Sequence, residues 1–377
     1  MIPAHRYAER LARLAAVARA GGVDAVLVAV GPDLEYLTGY RAMPLERLTM
    51  LVVAPDEAPV LVVPRLERAA AEAALRTDVR IATWDETEDP YELALGDVGT
   101  GGAAPSLLAV SDRLWASHLL RFQAARPGAR FAPASSVLRE LRMVKDEDEI
   151  DLLRRAAHAA DRVVTRIAAG PLVGRTEVDV AREVRERLIE NGHQEAHFAI
   201  VGSGPNSASP HHEASERVIR AGEPIVLDIG GTLDGYGSDI TRTIWVTGGD
   251  PANGPDEAFQ RLFGLVREAQ ASATAAAWPG TPAEQVDAVA RGIIEAGGHG
   301  RYFIHRLGHG IGLEGHEEPY LVAGNSEPIE AGHAFSIEPG IYLEGRYGVR
   351  IEDIVVCGRD GPIVLNEAPR ELYVVDG

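Results

Sequence analysis

The sequence predicts an α+β protein: a smaller α/β domain, residues 1–135, a helical linker, 136–148, and a larger domain, 149–377, of helices on a mostly antiparallel sheet. Three observations carry this. Short β-branched runs alternate with helical stretches over the first third, one long helical region follows at 135–169, and beyond it helices are interleaved with strand-like runs. At 377 residues the chain is too long for one ordinary domain and long enough for two, each with its own core.

In chain order, residues 5–21 carry a helical pattern that ends at Gly21-Gly22, DAVLVAV reads as a buried strand, and GPDLEYLTGY as a turn with a short element. LTMLVVAP and APVLVVP form two strands joined by the acidic turn PDEA. ERAAAEAALRT is helical, VRIATW is a further strand, and a Gly-rich loop around residues 96–102 precedes SLLAVSD. In the long helical region Val137, Leu138, Leu141 and Val144 form one apolar stripe, and Ile150, Leu153, Ala156, Ala160, Val163 and Ile167 form another. The acidic residues 146–149 start the second of these helices, where negative charge meets a helix N-terminus. The later helices fall at 177–192, 256–277 and 282–297, and the strand-like runs are PIVLDI, DITRTIWV, AFSIEPGIYL, YGVRIEDIVVC and ELYVV.

Composition narrows the function. Hydrophobic residues at 46% and charged residues at 25% fit a soluble globular protein. A net charge of −19 argues against nucleic acid and anionic membrane as partners, since both need a basic face. Cys357 is the only cysteine, which excludes an intrachain disulfide and a Cys-based zinc centre. The N-terminus is too frequently charged for a signal-peptide core, and no apolar run approaches the ~18 residues of a membrane span. A cytoplasmic address is expected by elimination.

Five hard or borderline metal donors lie in order along the second half: Asp228, Asp239, His309, Glu338 and Glu352. Four carboxylates and one imidazole suit a pair of divalent cations. Asp228 and Asp239 lie 11 residues apart in VLDIGGTLDGYGSDITRT, so both face the same way on neighbouring strands if the segment between them turns as a hairpin. The acids sit in short β-branched runs, where a charge is costly unless something pairs with it. Taken singly, each has a plainer reading: the aspartates as turn formers, His309 as a turn residue between glycines, Glu338 as a solvated carboxylate before Pro339-Gly340. Glu352 is harder to dismiss, because VRIEDIVV puts it on the face of Arg350 in an otherwise apolar strand.

Other patterns fall away. His305 and His309 have the spacing of half a zinc-helix signature, but its glutamate is missing and glycines break the helix. GHGIG lacks the third spaced glycine of a dinucleotide fingerprint, and neither a phosphate loop nor a nucleophile elbow occurs.

LDIGG…SDITRT, LGHGIGLEGHEEP, SIEPGIY and VRIEDIVV together resemble the successive motifs of the M24 metallopeptidases of pita-bread fold, in their proline-specific branch: Xaa-Pro dipeptidase (prolidase) and Xaa-Pro aminopeptidase (aminopeptidase P). IVGSGPNSASPHHEAS, LRMVKDEDEIDLLRRAA and, more loosely, YLTGY extend the likeness over most of the chain. The resemblance implies a creatinase/prolidase-type N-terminal domain and two divalent ions, Mn²⁺ first, with Co²⁺ or Zn²⁺ possible. It implies that Asp228 chelates one ion, Asp239 and Glu352 bridge both, and His309 and Glu338 complete the other. Hydrolysis would use a metal-bridging hydroxide, with Glu338 as base and proton shuttle. His211, His305 and His316 match positions that steady the oxyanion and substrate carbonyl, and Arg350 and Tyr342 match residues beside the site. For His211 the plainer reading is an exposed loop residue, and for Arg350 a salt bridge on a strand face.

Substrates implied by the resemblance are Xaa-Pro dipeptides or short peptides. Some family dipeptidases carry an arginine just after the HExP segment that meets the substrate carboxylate; HEEPY has Tyr320 there. Prolidase is the first expectation, aminopeptidase P the second, and methionine aminopeptidase, with the same ligands but usually no N-terminal domain of this size, the third. Creatinase-like hydrolases and non-catalytic pita-bread modules lack the ligands present here. Family members are often homodimers, and the same is expected of this chain.

Overall fold

The computed structural model describes residues 1–96, 98 and 106–377, so most of the loop expected around residues 96–102 lies outside the described residues. The chain divides into two compact units, Ile2–Arg142 and Met143–Gly377, the second also holding Met1. The dividing point falls inside 136–148. No described helix is long and apolar enough to cross a membrane.

In the first unit the helix Ala4–Ala20 buries Tyr7, Leu11, Leu14 and Ala18, the spacing of one helical face. A six-stranded mixed sheet runs in the order Arg80–Trp84, Val60–Pro64, Met50–Val53, Ala25–Ala29, Leu107–Val110, Arg130–Pro133. Its central strand Ala25–Ala29 is antiparallel to Met50–Val53 and parallel to Leu107–Val110. One face packs Leu27, Met50, Val62, Leu108 and Trp84 against Tyr91 and Phe122. The short element in GPDLEYLTGY is a helix, Pro32–Thr38, closed by Gly39 at φ 76°.

The long helical region separates into Ser135–Met143 and Glu147–Ala168. Asp146 causes the restart: its carboxylate accepts the Glu149 amide at 2.9 Å while the Glu149 carboxylate accepts the Asp146 amide at 3.0 Å. In the second unit, Glu147–Ala168 and Glu177–Glu190 pack on a four-stranded sheet ordered Tyr373–Val375, Tyr236–Val246, Glu223–Leu233, Glu195–Ser203. Helices Glu257–Ala276 and Ala283–Ala296 pack on a five-stranded sheet ordered Glu317–Leu321, Gly308–Gly310, Ala334–Ile337, Asp353–Gly358, Gly361–Val364. The arrangement is thus a helix pair on a sheet, twice over. Apart from the parallel strand Tyr373–Val375, both sheets are antiparallel.

Two runs depart from the expectation of single strands. AFSIEPGIYL divides into Ala334–Ile337 and Gly340–Leu343, and YGVRIEDIVVC into Tyr347–Arg350 and Asp353–Gly358. Gly340–Leu343 and Tyr347–Arg350 form a separate two-stranded ribbon. Pro339 explains the first break, since it has no N–H to give a ladder. At the second, Glu352 leaves its own ladder and forms a single antiparallel bridge with Thr241 of the other sheet. Both glutamates of interest therefore sit where the chain changes partners.

Candidate metal centre

The strand pair Glu223–Leu233 and Tyr236–Val246 turns at Asp234-Gly235, with φ of 50° and 89°, the conformation of a two-residue primed hairpin turn. Asp228 lies opposite Thr241, and Gly230 opposite Asp239. Opposed residues share a face and alternate residues return to it, so Asp228 and Asp239 present their carboxylates on one side.

His309 reaches the same place from the strand Gly308–Gly310. A Cβ at Gly308 would collide with the Ser336 carbonyl, and one at Gly310 with the Glu318 carbonyl, so the flanking glycines let neighbouring main chains close in on the imidazole. The His309 amide donates to Ser336 Oγ at 3.0 Å, and its Nδ1 donates to the Gly310 carbonyl at 3.1 Å. That tautomer leaves a lone pair on Nε2, which lies 3.4 Å from Glu338 Oε1 and 3.7 Å from Asp239 Oδ2.

Three overlapping groups each hold their ligand-capable atoms within 4.8 Å of one another: Asp228, Asp239 and Glu352; His309, Glu338 and Glu352; Asp239, His309 and His316. All five expected donors converge. His316, read from the sequence only as an oxyanion partner, also stands at ligand distance, its ring 3.8 Å from that of His309.

Burial and mutual repulsion dominate the electrostatics. Burial, then Asp228 and Glu338, pushes the Asp239 carboxyl well above the usual carboxylate range; burial, then Asp239 and Glu338, does the same to Glu352. Glu338, desolvated and facing Asp228, is pushed up to about 7. Burial, then His316, lowers His309 to about 3. Four acids thus crowd a neutral imidazole and one guanidinium, and Asp228 Oδ1 is buried with no hydrogen-bond partner among the described residues. Cations supply the missing positive charge and the missing partner, so the residues present fit divalent metal.

Arg350 ties the centre to its surroundings. It donates to Asp228 Oδ2 at 2.6 Å, to Thr241 Oγ1 at 3.1 Å and to the Tyr342 hydroxyl at 2.9 Å. Thr241 in turn donates to Glu352 Oε2 at 2.7 Å, so Arg350 and Glu352 meet through Thr241 and not side by side on one strand face. Tyr342 donates to His305 Nε2 at 2.9 Å, while His305 Nδ1 donates to the Arg306 carbonyl at 2.7 Å. Burial, then the Arg350 charge, lowers His305 to about 4, so it is neutral at physiological pH. Burial raises Tyr342 to about 12. His211 is exposed, within electrostatic range of His305 and His316.

The His211 segment is fixed from beneath by a residue the sequence reading missed. Glu177, fully buried, accepts from the Ser203 amide and hydroxyl (2.8 and 2.7 Å), Asn206 Nδ2 (3.1 Å), His212 Nε2 (2.8 Å), and the Ser215 amide and hydroxyl (3.1 and 2.7 Å). Burial alone would raise its carboxyl; the donors, Ser203 first, outweigh that and hold it at about 2. With the folded value depressed, its stabilising contribution is present above the ordinary 4.5 and is lost as pH falls through about 2. Glu177→Gln is expected to lower stability at pH 7 by about 1–3 kcal/mol and to flatten the acid limb of the stability profile, both read by urea unfolding. An unchanged acid limb would contradict the assignment.

A largely buried cluster of four carboxylates and a histidine, held between two helix-backed sheets, has the make-up of a divalent-metal centre of a hydrolase. Residues 151–359 match metallopeptidase family M24, and residues 10–144 match the creatinase/prolidase N-terminal domain. The chain belongs to family M24: it is a peptidase of pita-bread fold, in a family of dinuclear metal enzymes. It is 46% identical over 372 residues to a probable dipeptidase PepE of Mycobacterium tuberculosis, covering 98% of this chain and 96% of the relative. The solved dipeptidase PepE of Mycobacterium ulcerans superposes with a TM-score of 0.90 at 43% identity, covering 99% of each chain. A prolidase from Thermococcus sibiricus gives 0.89 at 37% identity, covering 98% of this chain and 99% of that one.

Proposed function

We propose that the chain is an Xaa-Pro dipeptidase that works with two divalent cations. The observation that carries the proposal is the convergence of Asp228, Asp239, His309, Glu338 and Glu352 around the orphaned Asp228 oxygen. The dipeptidase and prolidase names of the relatives supply the substrate class. Asp228 would hold one cation, His309 and Glu338 the other, and Asp239 and Glu352 both. This oxygen-rich set favours Mn²⁺ over thiophilic metals. When bound, the ions supply Lewis acidity to a water and to the scissile carbonyl.

The chain's own groups do the rest. Glu338, steadied by Ser336 Oγ at 3.3 Å, takes the proton of the attacking water and delivers it to the leaving proline nitrogen. That nitrogen belongs to a tertiary amide with no N–H, so a site that activates water and carbonyl loses nothing by its absence. His316 and His211 donate where negative charge develops on the carbonyl oxygen. Arg350 orients Asp228, and Tyr342 sets the His305 ring. The reading extends to a cytoplasmic homodimer, consistent with the acidic composition and the family resemblance.

The test is metal stripping followed by kinetics on an Xaa-Pro dipeptide and an Xaa-Pro tripeptide. Activity should vanish on chelation and return with Mn²⁺, with kcat/KM at least about tenfold higher on the dipeptide, a difference of ~1.4 kcal/mol. Full activity after chelation, or preference for the tripeptide, would overturn the proposal.

A further inference from the structure

His316 ends a tight loop, residues 311–316, and is itself exposed, with its ring 3.8 Å from that of His309. Arg306 Nη2 donates to its Nδ1 at 3.3 Å, which leaves the proton of the neutral ring on Nε2. A donor to a developing oxyanion works only when it is held to within about 0.5 Å. Packing around an exposed ring does not supply that precision, so the main chain beneath it must. The next residue, Glu317, is buried, and its Oε1 accepts from Lys145 Nζ at 2.6 Å, the two side chains being 8% and 1% exposed.

The loop folds over this carboxylate. A Cβ on Gly312 would lie 2.7 Å from Glu317 Oε1, so glycine lets the main chain close on it. The Gly312 amide donates to the Glu314 carbonyl at 3.0 Å, and the Gly312 carbonyl accepts from Gly237, in the strand that carries Asp239, at 2.8 Å. Lys145 is anchored from the other side: its amide donates to the Gly332 carbonyl at 2.9 Å, and Val144 bridges His333, directly before the strand Ala334–Ile337 that leads to Glu338. The pair therefore runs from the foot of that strand to the loop that presents His316. Stability is a poor account of it, because desolvating an ammonium and a carboxylate offsets most of their attraction, and apolar residues of like volume often serve a fold as well. What a charge-assisted contact of one nitrogen with one oxygen adds is direction.

We infer that the buried Lys145–Glu317 pair positions His316, fixing loop 311–316 so that the exposed ring stays against His309. The inference rests on the reading in which His316 donates to the carbonyl oxygen of the substrate. Lys145 and Glu317 are positioning residues: they act through the main chain of one loop, and the linker thereby takes part in setting the site. Loss of the pair leaves His316 present but loosely placed, which lowers the rate of the chemical step more than it weakens substrate binding.

The experiment uses the full-length Mn²⁺-loaded protein with Ala-Pro as substrate. Lys145→Met combined with Glu317→Leu removes both charges at similar volume, and Glu317→Gln keeps a hydrogen bond without the charge; each is made with His316 intact and with His316→Ala. With His316 intact, the charge-free variant should lose about 10–100-fold in kcat and Glu317→Gln about 3–10-fold, with KM within about threefold and the metal bound per chain unchanged. With His316→Ala, the same substitutions should cost less than about twofold further, because the group they place is gone. The melting temperature of the charge-free variant should stay near that of the parent. A folded charge-free variant with kcat within about twofold of the parent would overturn the inference. So would equal losses with and without His316, or a fall in bound metal alongside kcat. If the charge-free variant does not fold, the Glu317→Gln comparison decides alone, and a parent-like kcat there overturns the inference. His316→Ala should itself lose about 10²–10³-fold in kcat. Parent-like turnover of that variant would remove the oxyanion role of His316, and full activity after chelation would remove the metallopeptidase mechanism, whatever the Lys145 and Glu317 variants do.

Discussion

Asp239→Asn should abolish hydrolysis, by at least about 10³-fold in kcat/KM, and lower the metal bound per chain. The substitution is nearly isosteric, so the hairpin Glu223–Leu233/Tyr236–Val246 and its primed turn keep their geometry. It removes the charge that both proposed cations share, since Asp239 stands with Asp228 and Glu352 on one side and with His309 and His316 on the other. The sign of its effect on stability separates this from misfolding. In the metal-free protein, burial and the neighbouring acids already disfavour the Asp239 carboxylate, so a neutral amide relieves repulsion and the metal-free melting temperature should hold or rise. The increment gained on adding Mn²⁺ should shrink, because a cation stabilises the fold only in proportion to its affinity. Elemental analysis and melting curves with and without metal read both effects. Retention of activity within about tenfold of the parent, together with an unchanged metal content, would refute the assignment of Asp239.

The reach of the sequence differs from residue to residue, for physical reasons. Asp228 and Asp239 could be placed because strand alternation and a hairpin are local, and Asp234-Gly235 is a two-residue turn signal. Splitting AFSIEPGIYL was also within reach: Pro339 announces the break, and it matters because the break lets Glu338 turn out of the ladder. The strand Glu195–Ser203 escaped notice because it forms a sheet edge and its first half sets exposed polar residues, Glu195 and His197, between the half-buried Ala196 and Phe198. Partnerships across long separations leave no local trace. Thr241 and Glu352 are 111 residues apart, and Lys145 and Glu317, a buried pair at 2.6 Å, are 172 apart. Glu177 reads as an ordinary first-turn helix acid, and only the fold delivers its donors from residues 203–215.

Arg242→Met is expected to cost about 3–5 kcal/mol of stability, since it strands several buried carbonyl acceptors at roughly 1–3 kcal/mol each, less whatever relaxation recovers. Arg242 is 1% exposed and has the largest side chain among the fully buried residues. Its guanidinium donates to Asp353 Oδ1 at 2.7 Å and to the carbonyls of Thr241, Glu352, Ala368 and Pro369 at 2.6–2.9 Å. Methionine fills much of the volume but satisfies none of these acceptors. Asp353 would keep Gln270 at 2.9 Å and Arg370, so its charge is not orphaned; the main-chain carbonyls are. For a domain of this size the melting temperature should fall by roughly 6–20 °C. Thr241 and Glu352 are joined by hydrogen bond and bridge, and Arg242 clamps the main chain of both, so metal affinity should fall too although Arg242 touches no candidate ligand side chain. Arg242→Met with Asp353→Leu tests the cause. If the loss comes from the unpaired ionic partner, the double variant should recover part of it; if it comes from the stranded carbonyls, the double variant should be as unstable as the single one or worse. The second outcome is expected, because four of the five hydrogen bonds end on main chain. A melting temperature within about 2 °C of the parent for Arg242→Met would mean that the bridge between the two sheets does not depend on this cation.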